Sequence, residues 1–490
     1  MKLNDQQLTG AKAYQSSKRN IGISARAGTG KTSFLLALQK LNKSKTSLFL
    51  AFTNATKDEL IKRDPSLKDR VKTTYQIGLK ACHRLIESQV EVLPYKYQNI
   101  VSELVNSEGF TVQCALKGVS GKVYSDRFTQ NSVVSLVNLC LVNLKFTLAE
   151  ISEYVEANYT VDPDLETWLA YESIKTGLMD CLNGSVGFSD MISFPFSPYV
   201  DDEDCSHAFK KYPVLMVDEA QDLSMAQIRI VEESLGGQLV VVGDSFQAIM
   251  GFAGGTGDSF NHLLESFDCD VYPLTLCYRC PVQVLDEARK IVPDIQGLDR
   301  QGHYEYIRGY DEGLEKIKEI SNDETMVVSR VNSDLVGLSL ALFESDIAFN
   351  FHRDKIEQTL KSKLAFIKES TPYSKLLETL TKLRNDYERQ GNTYQLDLTD
   401  CLIYLVKGAN TDKYSGLYTF MRRLFYKRSA NILLGTVHSF KGSESKNVAG
   451  WGMQKFPHPL STTEAQLQQE RNLEYVLITR AKENLYLVEY

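Results

Sequence analysis

Ile21-Gly22-Ile23-Ser24-Ala25-Arg26-Ala27-Gly28-Thr29-Gly30-Lys31-Thr32 runs directly into Ser33-Phe34-Leu35-Leu36-Ala37-Leu38. A short apolar run, a turn with two glycines and a second apolar run spell strand, loop and helix in order. Gly28 and Gly30 let the backbone fold round a phosphate with its N–H groups pointing inward. The helix start adds the positive end of its dipole. Lys31 then reaches the β- and γ-phosphates, and the Thr32 hydroxyl holds Mg2+. The strict pattern starts with Gly where this chain has Ala25, so the loop alone also reads as a glycine-rich turn in a Rossmann-like sheet.

Three more runs of the same kind lie at residues 47–52, 214–217 and 239–242, each followed by a Gly-rich or acidic turn and a helix-like segment. Short, continuously apolar strands alternating with helices predict a parallel α/β sheet whose ligands bind beyond the carboxyl ends of the strands. A later set, at residues 325–328, 432–434 and 485–488, predicts a second α/β lobe. Helix-biased stretches interrupt both lobes. The resulting division is 1–80 with 207–265, an insertion at 81–206, 266–350 with 430–490, and a smaller insertion at 351–429. The first insertion closes on Asp201-Asp202-Glu203-Asp204, read as a solvated connecting loop. Phe188-Ser189-Asp190-Met191-Ile192, just before it, reads as core packing.

At 490 residues the chain exceeds one core. Its 43% hydrophobic and 24% charged content is that of an ordinary globular protein. With 55 basic against 62 acidic residues, net −7, it is no passive polycation coating nucleic acid, although a local basic groove stays compatible with that balance. Nine cysteines without a repeated spacing, a polar start at Met1-Lys2-Leu3-Asn4 and no apolar run of membrane-spanning length predict a reduced, cytoplasmic protein with no membrane partner.

The 214–217 run ends in Asp218-Glu219-Ala220-Gln221-Asp222. That places two carboxylates at the sheet edge: Asp218 to hold Mg2+ through water, and Glu219 to orient and deprotonate the attacking water. The alternative is an acidic helix cap. Gln247, after 239–242, is placed to sense the γ-phosphate. In Leu276-Cys277-Tyr278-Arg279, Tyr278 is suited to stack on adenine and Arg279 to neutralise phosphate charge. Arg480, in Leu473-Glu474-Tyr475-Val476-Leu477-Ile478-Thr479-Arg480, is suited to the same task from the far end of the chain, delivered by a strand or a helix. Taken singly, each of these reads better as a structural residue than as a functional one. Cys277 and Cys280, with Cys269 upstream, offer half of a zinc or iron–sulfur site, but no second pair lies nearby.

In this order the motifs resemble those of superfamily-one DNA helicases of the UvrD/Rep type, over both lobes. Leu3-Asn4-Asp5-Gln6-Gln7 resembles the family's adenine-reading motif, with Gln7 as its glutamine, and Ala25 to Thr32 its phosphate loop, where Ala is common at the first position. The resemblance therefore implies ATP contacts from Ala27, Gly28, Thr29, Gly30, Lys31, Thr32 and Ser33. Phe52-Thr53-Asn54 and Thr73-Thr74-Tyr75 resemble DNA-contact motifs, as does Phe252 within the segment coupling γ-phosphate to DNA. Thr436-Val437-His438-Ser439-Phe440-Lys441-Gly442-Ser443-Glu444 resembles a later motif, with His438 as a DNA or coupling contact and Glu444 at the ribose. Arg480 takes the place of the arginine finger.

The resemblance implies two RecA-like lobes, each with a mainly helical insertion, closing on one ATP. It implies ATP- and Mg2+-dependent 3′→5′ movement on single-stranded DNA and unwinding of tailed or forked duplex, in replication, repair or recombination. Partners among replication or recombination proteins are expected on the same ground. Two departures stand out: Met250 and Ala253 replace an aromatic ring and a cation usual in the coupling segment. A base stacked on a ring is worth roughly 1–3 kcal/mol, so a weaker DNA grip is expected. The short second insertion and the stop soon after Arg480 resemble compact viral or F-box-type relatives. Two other jobs fit the same motifs, a translocase that strips proteins from DNA and an ATP-controlled loading subunit.

Overall fold

The computed structural model describes residues 3–41, 47–117, 127–157, 163–250, 259–352, 355–389 and 391–490. The chain forms two units. The first comprises Met1–Ala25 and Gly30–Leu274, the second Arg26–Thr29 and Thr275–Tyr490.

The sheet of the first unit holds β1 (Ile21–Ala25), β2 (Ser47–Ala51), β3 (Val71–Thr73), β4 (Tyr212–Val217), β5 (Leu235–Gly243) and β6 (Asp270–Leu274). Their order is β3-β2-β4-β5-β1-β6, with every neighbour parallel. Burial of Leu215, Met216, Val217 and Leu239 to Val242 is complete, which is why these strands read as unbroken apolar runs. The two edge strands escape that signal. β3 is three residues long with Lys72 at its centre, and β6 carries Pro273, which an edge strand tolerates.

Helices Lys96–Val105, Arg127–Val142, Leu148–Ala157 and Pro163–Leu182 pack round a core that includes Val101, Val137, Leu169 and Ile174. A buried ion pair ties this bundle together. Lys96 Nζ lies 2.6 Å from Asp190 Oδ2 and donates to the Gly177 and Ser185 carbonyls at 2.6 and 2.7 Å. The Tyr97 hydroxyl donates to the other Asp190 oxygen at 2.6 Å, and the Gly187 N–H donates to Oδ2 at 2.8 Å. Two desolvated charges are tolerable only when their hydrogen-bonding capacity is filled in this way. Met191 and Ile192 are core as expected, but Phe188 is exposed rather than packed, and the ion pair at Asp190 was not foreseen. The acidic stretch is also corrected. It is not a loop: Asp202–Ala208 is a helix with Asp202, Glu203 and Asp204 in its first turn, where carboxylates favour the positive dipole end.

The second unit repeats the architecture with β7 (His303–Arg308), β8 (Thr325–Ser329), β9 (Phe349–Phe351), β10 (Ile432–Thr436), β11 (Ser445–Trp451) and β12 (Ala481–Glu489). Their order is β7-β12-β11-β8-β10-β9, again all parallel. The central β11 opens on polar residues that hide it from an apolar-run reading. Asn447 Nδ2 donates to Thr325 Oγ1 at 3.3 Å and Ser445 Oγ to the Glu324 carbonyl at 2.9 Å, so their polarity is satisfied inside the sheet. Between β9 and β10 run helices Lys355–Ser370, Leu376–Arg389, Thr393–Gly408 and Tyr414–Leu424. Helix Glu464–Ile478 leads to Arg480 and β12. The fold is thus the expected α/β class with two parallel sheets. Among the described residues no helix is long and apolar enough to cross a membrane.

Candidate functional site

In the first unit the chemistry gathers where β1, β4 and β5 end. β1 stops at Ala25, and helix α2 (Lys31–Leu41) begins six residues later. Gly28 and Gly30 sit at φ +68° and +80°, a region that costs glycine nothing and strains other residues. The Thr29 hydroxyl donates to the Arg26 carbonyl at 2.9 Å. Ser33 Oγ accepts from Arg63 at 3.2 Å. Gln7 is buried at the start of helix α1 (Asp5–Ser16), in a reciprocal cap with Asn4. Its amide nitrogen comes 3.9 Å from where a Cβ on Gly30 would stand.

Lys31 Nζ lies 3.3 Å from Glu219 Oε2. The Thr32 hydroxyl donates to Asp218 Oδ2 at 2.9 Å, and Asp218 Oδ1 accepts the Glu219 N–H at 3.0 Å. Burial works against the Lys31 charge, but Glu219, Asp244 and Asp218 outweigh it and hold the ammonium above its ordinary range. Burial, then the Glu219 charge, pushes Asp218 up to about 6, against the pull of Lys31 and Thr32. Glu219 itself adopts φ +53°, in the left-handed region. A non-glycine residue there costs of order 1–3 kcal/mol and persists because its surroundings hold it.

The sequence reading gave no role to Gln221 and Asp244, which join Glu219 to the expected Gln247. Gln221 Nε2 donates to Glu219 Oε2 at 2.6 Å, and its Oε1 accepts the Asp244 N–H at 3.1 Å. Gln247 Nε2 donates to Asp244 Oδ2 at 2.6 Å. Glu219, Gln221, Asp244 and Gln247 thus form a hydrogen-bonded chain from β4 to β5. Gln221 stood inside the quoted acidic motif, and its polarity after a buried strand was the available signal.

Thr32 and Asp218 present adjacent hard oxygens. That fits Mg2+, which takes one or two protein ligands and fills its octahedron with phosphates and water. Among the described residues no group of three or more His, Cys, Asp or Glu side chains stands in metal-binding geometry. The zinc or iron–sulfur alternative at Cys277 and Cys280 therefore lacks ligands there. Instead the Cys280 N–H donates to Cys277 Sγ at 3.4 Å.

In the second unit, Arg279 Nε donates to Glu444 Oε2 at 2.6 Å and its Nη1 to the Thr479 carbonyl at 3.0 Å. Arg480 is buried, with Nε on the Val476 carbonyl at 2.9 Å and Nη1 on the Ser443 carbonyl at 3.1 Å. The structure thus gathers Arg279, Glu444 and Arg480, and leaves Tyr278 41% exposed. Arg330, at the end of β8, was not foreseen. It forms a bidentate pair with Glu470 at 2.7 to 3.1 Å.

Of the expected DNA contacts, Thr53 caps helix α3 (Asn54–Arg63) through the Thr56 N–H at 3.1 Å, and Asn54 is exposed beside it. Phe52 and Tyr75 are half-buried against the apolar core of the first unit. Phe252 lies outside the described residues. Burial, then Arg330, pushes His438 down to about 4, so the ring is neutral at pH 7. The folded protein therefore binds fewer protons here than the unfolded chain between its two pKa values, and stability falls as pH drops from about 6.5 to about 4. His438→Gln is expected to make that fall shallower, read as Tm against pH. An unchanged slope refutes the partly buried, neutral ring.

The description of the UvrD/REP helicase N-terminal domain family matches residues 3–268, more than half of the chain. F-box DNA helicase protein 1 of Schizosaccharomyces pombe is 23% identical over 95% of this chain and 55% of its own length. ATP-dependent DNA helicase UvrD1 of Mycobacterium leprae is 24% identical over 72% of this chain and 47% of its own. The chain spans about half the length of the curated relatives it matches.

Proposed function

The chain belongs to the UvrD/REP helicase family, and from that premise we propose that it is an ATP- and Mg2+-dependent DNA helicase moving 3′→5′ on single strands. The observation that supports this best is the Lys31, Thr32, Asp218 and Glu219 constellation at the strand ends. Lys31 exchanges Glu219 for the β- and γ-phosphates when nucleotide enters. Glu219, released from Lys31 and still held by Gln221, accepts the proton of the attacking water. Gln221 and Asp244 carry the state of Glu219 to Gln247. Thr32 and Asp218 are the residues that would hold Mg2+, which would supply neutralisation of phosphate charge. Arg279 and Arg480 stabilise the charge that develops on the transferred phosphoryl group. Exposed Asn54 and the half-buried rings of Phe52 and Tyr75 contact the strand in a base-tolerant way.

The test is ATP-driven strand separation on matched duplexes with a 3′ or a 5′ single-stranded tail. Opening from the 3′ tail alone is the expected result. Opening from the 5′ tail overturns the direction. DNA-stimulated ATPase without opening replaces unwinding by protein displacement, and no DNA-stimulated ATPase overturns the motor.

A further inference from the structure

The first unit carries a cationic cavity that none of these roles uses. Its volume is about 260 Å³, and Lys72, Lys80, Arg84 and Lys210 line it, with Phe209 and Tyr212 as its apolar walls. Lys72 is the middle residue of β3. Lys80 and Arg84 are four residues apart on helix α4 (Thr74–Leu85), hence on one face of it. Lys210 precedes β4, at the amino end of the parallel sheet. Lys31, Thr32 and Asp218 follow carboxyl ends of strands in the same sheet, so the two sites occupy opposite edges.

The cavity is built rather than incidental. Arg84 Nη1 is pinned on the Ala208 carbonyl at 2.5 Å, and the Lys210 ammonium lies 5.3 Å from the Tyr212 ring centroid. Among the described residues none of the four cations forms an ion pair within 4.0 Å. The neighbouring Lys80, then burial, then the charges of Lys80 and Lys210 push Lys72 down to about 8, and Asp69 opposes this only in part. Four cations converging on one hollow in a chain of net charge −7 repel one another until an anion joins them.

We propose that this cavity binds a phosphate group, carried by a nucleic-acid backbone or by a free polyphosphate. A phosphate offers several acceptor oxygens and more than one negative charge, which matches convergent donors better than a single carboxylate does. The site is independent of the nucleotide residues, and its test does not depend on the helicase reading.

The whole protein is acylated on amines at about pH 8, and labelling is scored lysine by lysine by mass spectrometry. Lys72 is expected to react faster than other half-buried lysines. Tripolyphosphate or a short blunt DNA duplex at about ten times its Kd is expected to slow labelling of Lys72 about tenfold. Protection by both probes, by duplex alone or by tripolyphosphate alone each supports the site and names the source of its phosphate. Protection persists in Lys31→Ala, which separates this cavity from the nucleotide site, and disappears in Lys80→Ala/Lys210→Ala. Absence of protection by either probe overturns the proposal. So does protection that survives the double substitution, or equal protection by poly-glutamate.

Discussion

Lys31→Ala is expected to remove ATP turnover, lowering DNA-stimulated kcat/KM about 10³-fold or more. Lys31 is the cation among three carboxylates, with Glu219 at 3.3 Å and Asp218 and Asp244 close enough to raise its pKa. Without it, nucleotide phosphates would enter a pocket whose nearest charges are all negative. A single preorganised donor to developing transition-state charge is worth about 10²–10³ in kcat, and a formal charge in a buried site is worth more. Repulsion between Asp218 and Glu219 also goes unanswered, so Asp218 protonates more readily. The measurement is steady-state ATPase with saturating single-stranded DNA, with circular dichroism and Tm to establish that the variant is folded. A folded variant keeping a tenth of the wild-type rate sinks the assignment of Lys31. Lys31→Arg is a useful companion: it keeps the charge but replaces a compact ammonium with a planar fork, and is expected to recover binding better than turnover.

The strand, glycine turn and helix at the start of the first sheet were legible because the turn needs glycines at two positive-φ positions and the Lys-Thr pair opens the helix, all contiguous in sequence. The central strands of the first sheet were legible because burial on both faces demands unbroken apolar runs. Legibility fails where stabilisation is lateral. β11 hides behind Ser445 and Asn447, whose hydrogen bonds run to residues more than a hundred positions away. The Lys96–Asp190 pair joins two segments with no shared pattern, and the cations at Lys72, Lys80, Arg84 and Lys210 converge only once β3, α4 and β4 are assembled. Gln221 was quoted within its motif but given no task, because the link to Asp244 exists only when β4 and β5 are neighbours. The same limit applies to Arg279 and Glu444, expected at phosphate and ribose and found paired with each other at 2.6 Å.

Glu219→Gln is expected to separate binding from chemistry. Glutamine keeps the size of the side chain, and its carbonyl oxygen can still accept the Gln221 amide bond that glutamate accepts at 2.6 Å. The strained φ of +53° is likewise unchanged in kind, so the fold and the loop should survive. Two things are lost. The amide cannot take a proton from water, and a positioned general base contributes about 10²–10⁴ in rate. The ion pair with Lys31 also disappears, freeing the ammonium for phosphate before any nucleotide arrives. The expected signature is therefore asymmetric: ATP affinity equal to or tighter than wild type, with single-turnover hydrolysis slower by about 10²–10⁴. Nucleotide titration by calorimetry reads the first quantity, and rapid-quench hydrolysis reads the second. Wild-type hydrolysis in this variant would remove Glu219 as the base. Equal loss of affinity and rate would instead mean that Glu219 acts by shaping the pocket round Lys31, since uniform binding is lost when ground and transition states suffer alike. Only weakened hydrolysis with intact binding is compatible with a carboxylate that yields its cation to the nucleotide and then works on the water.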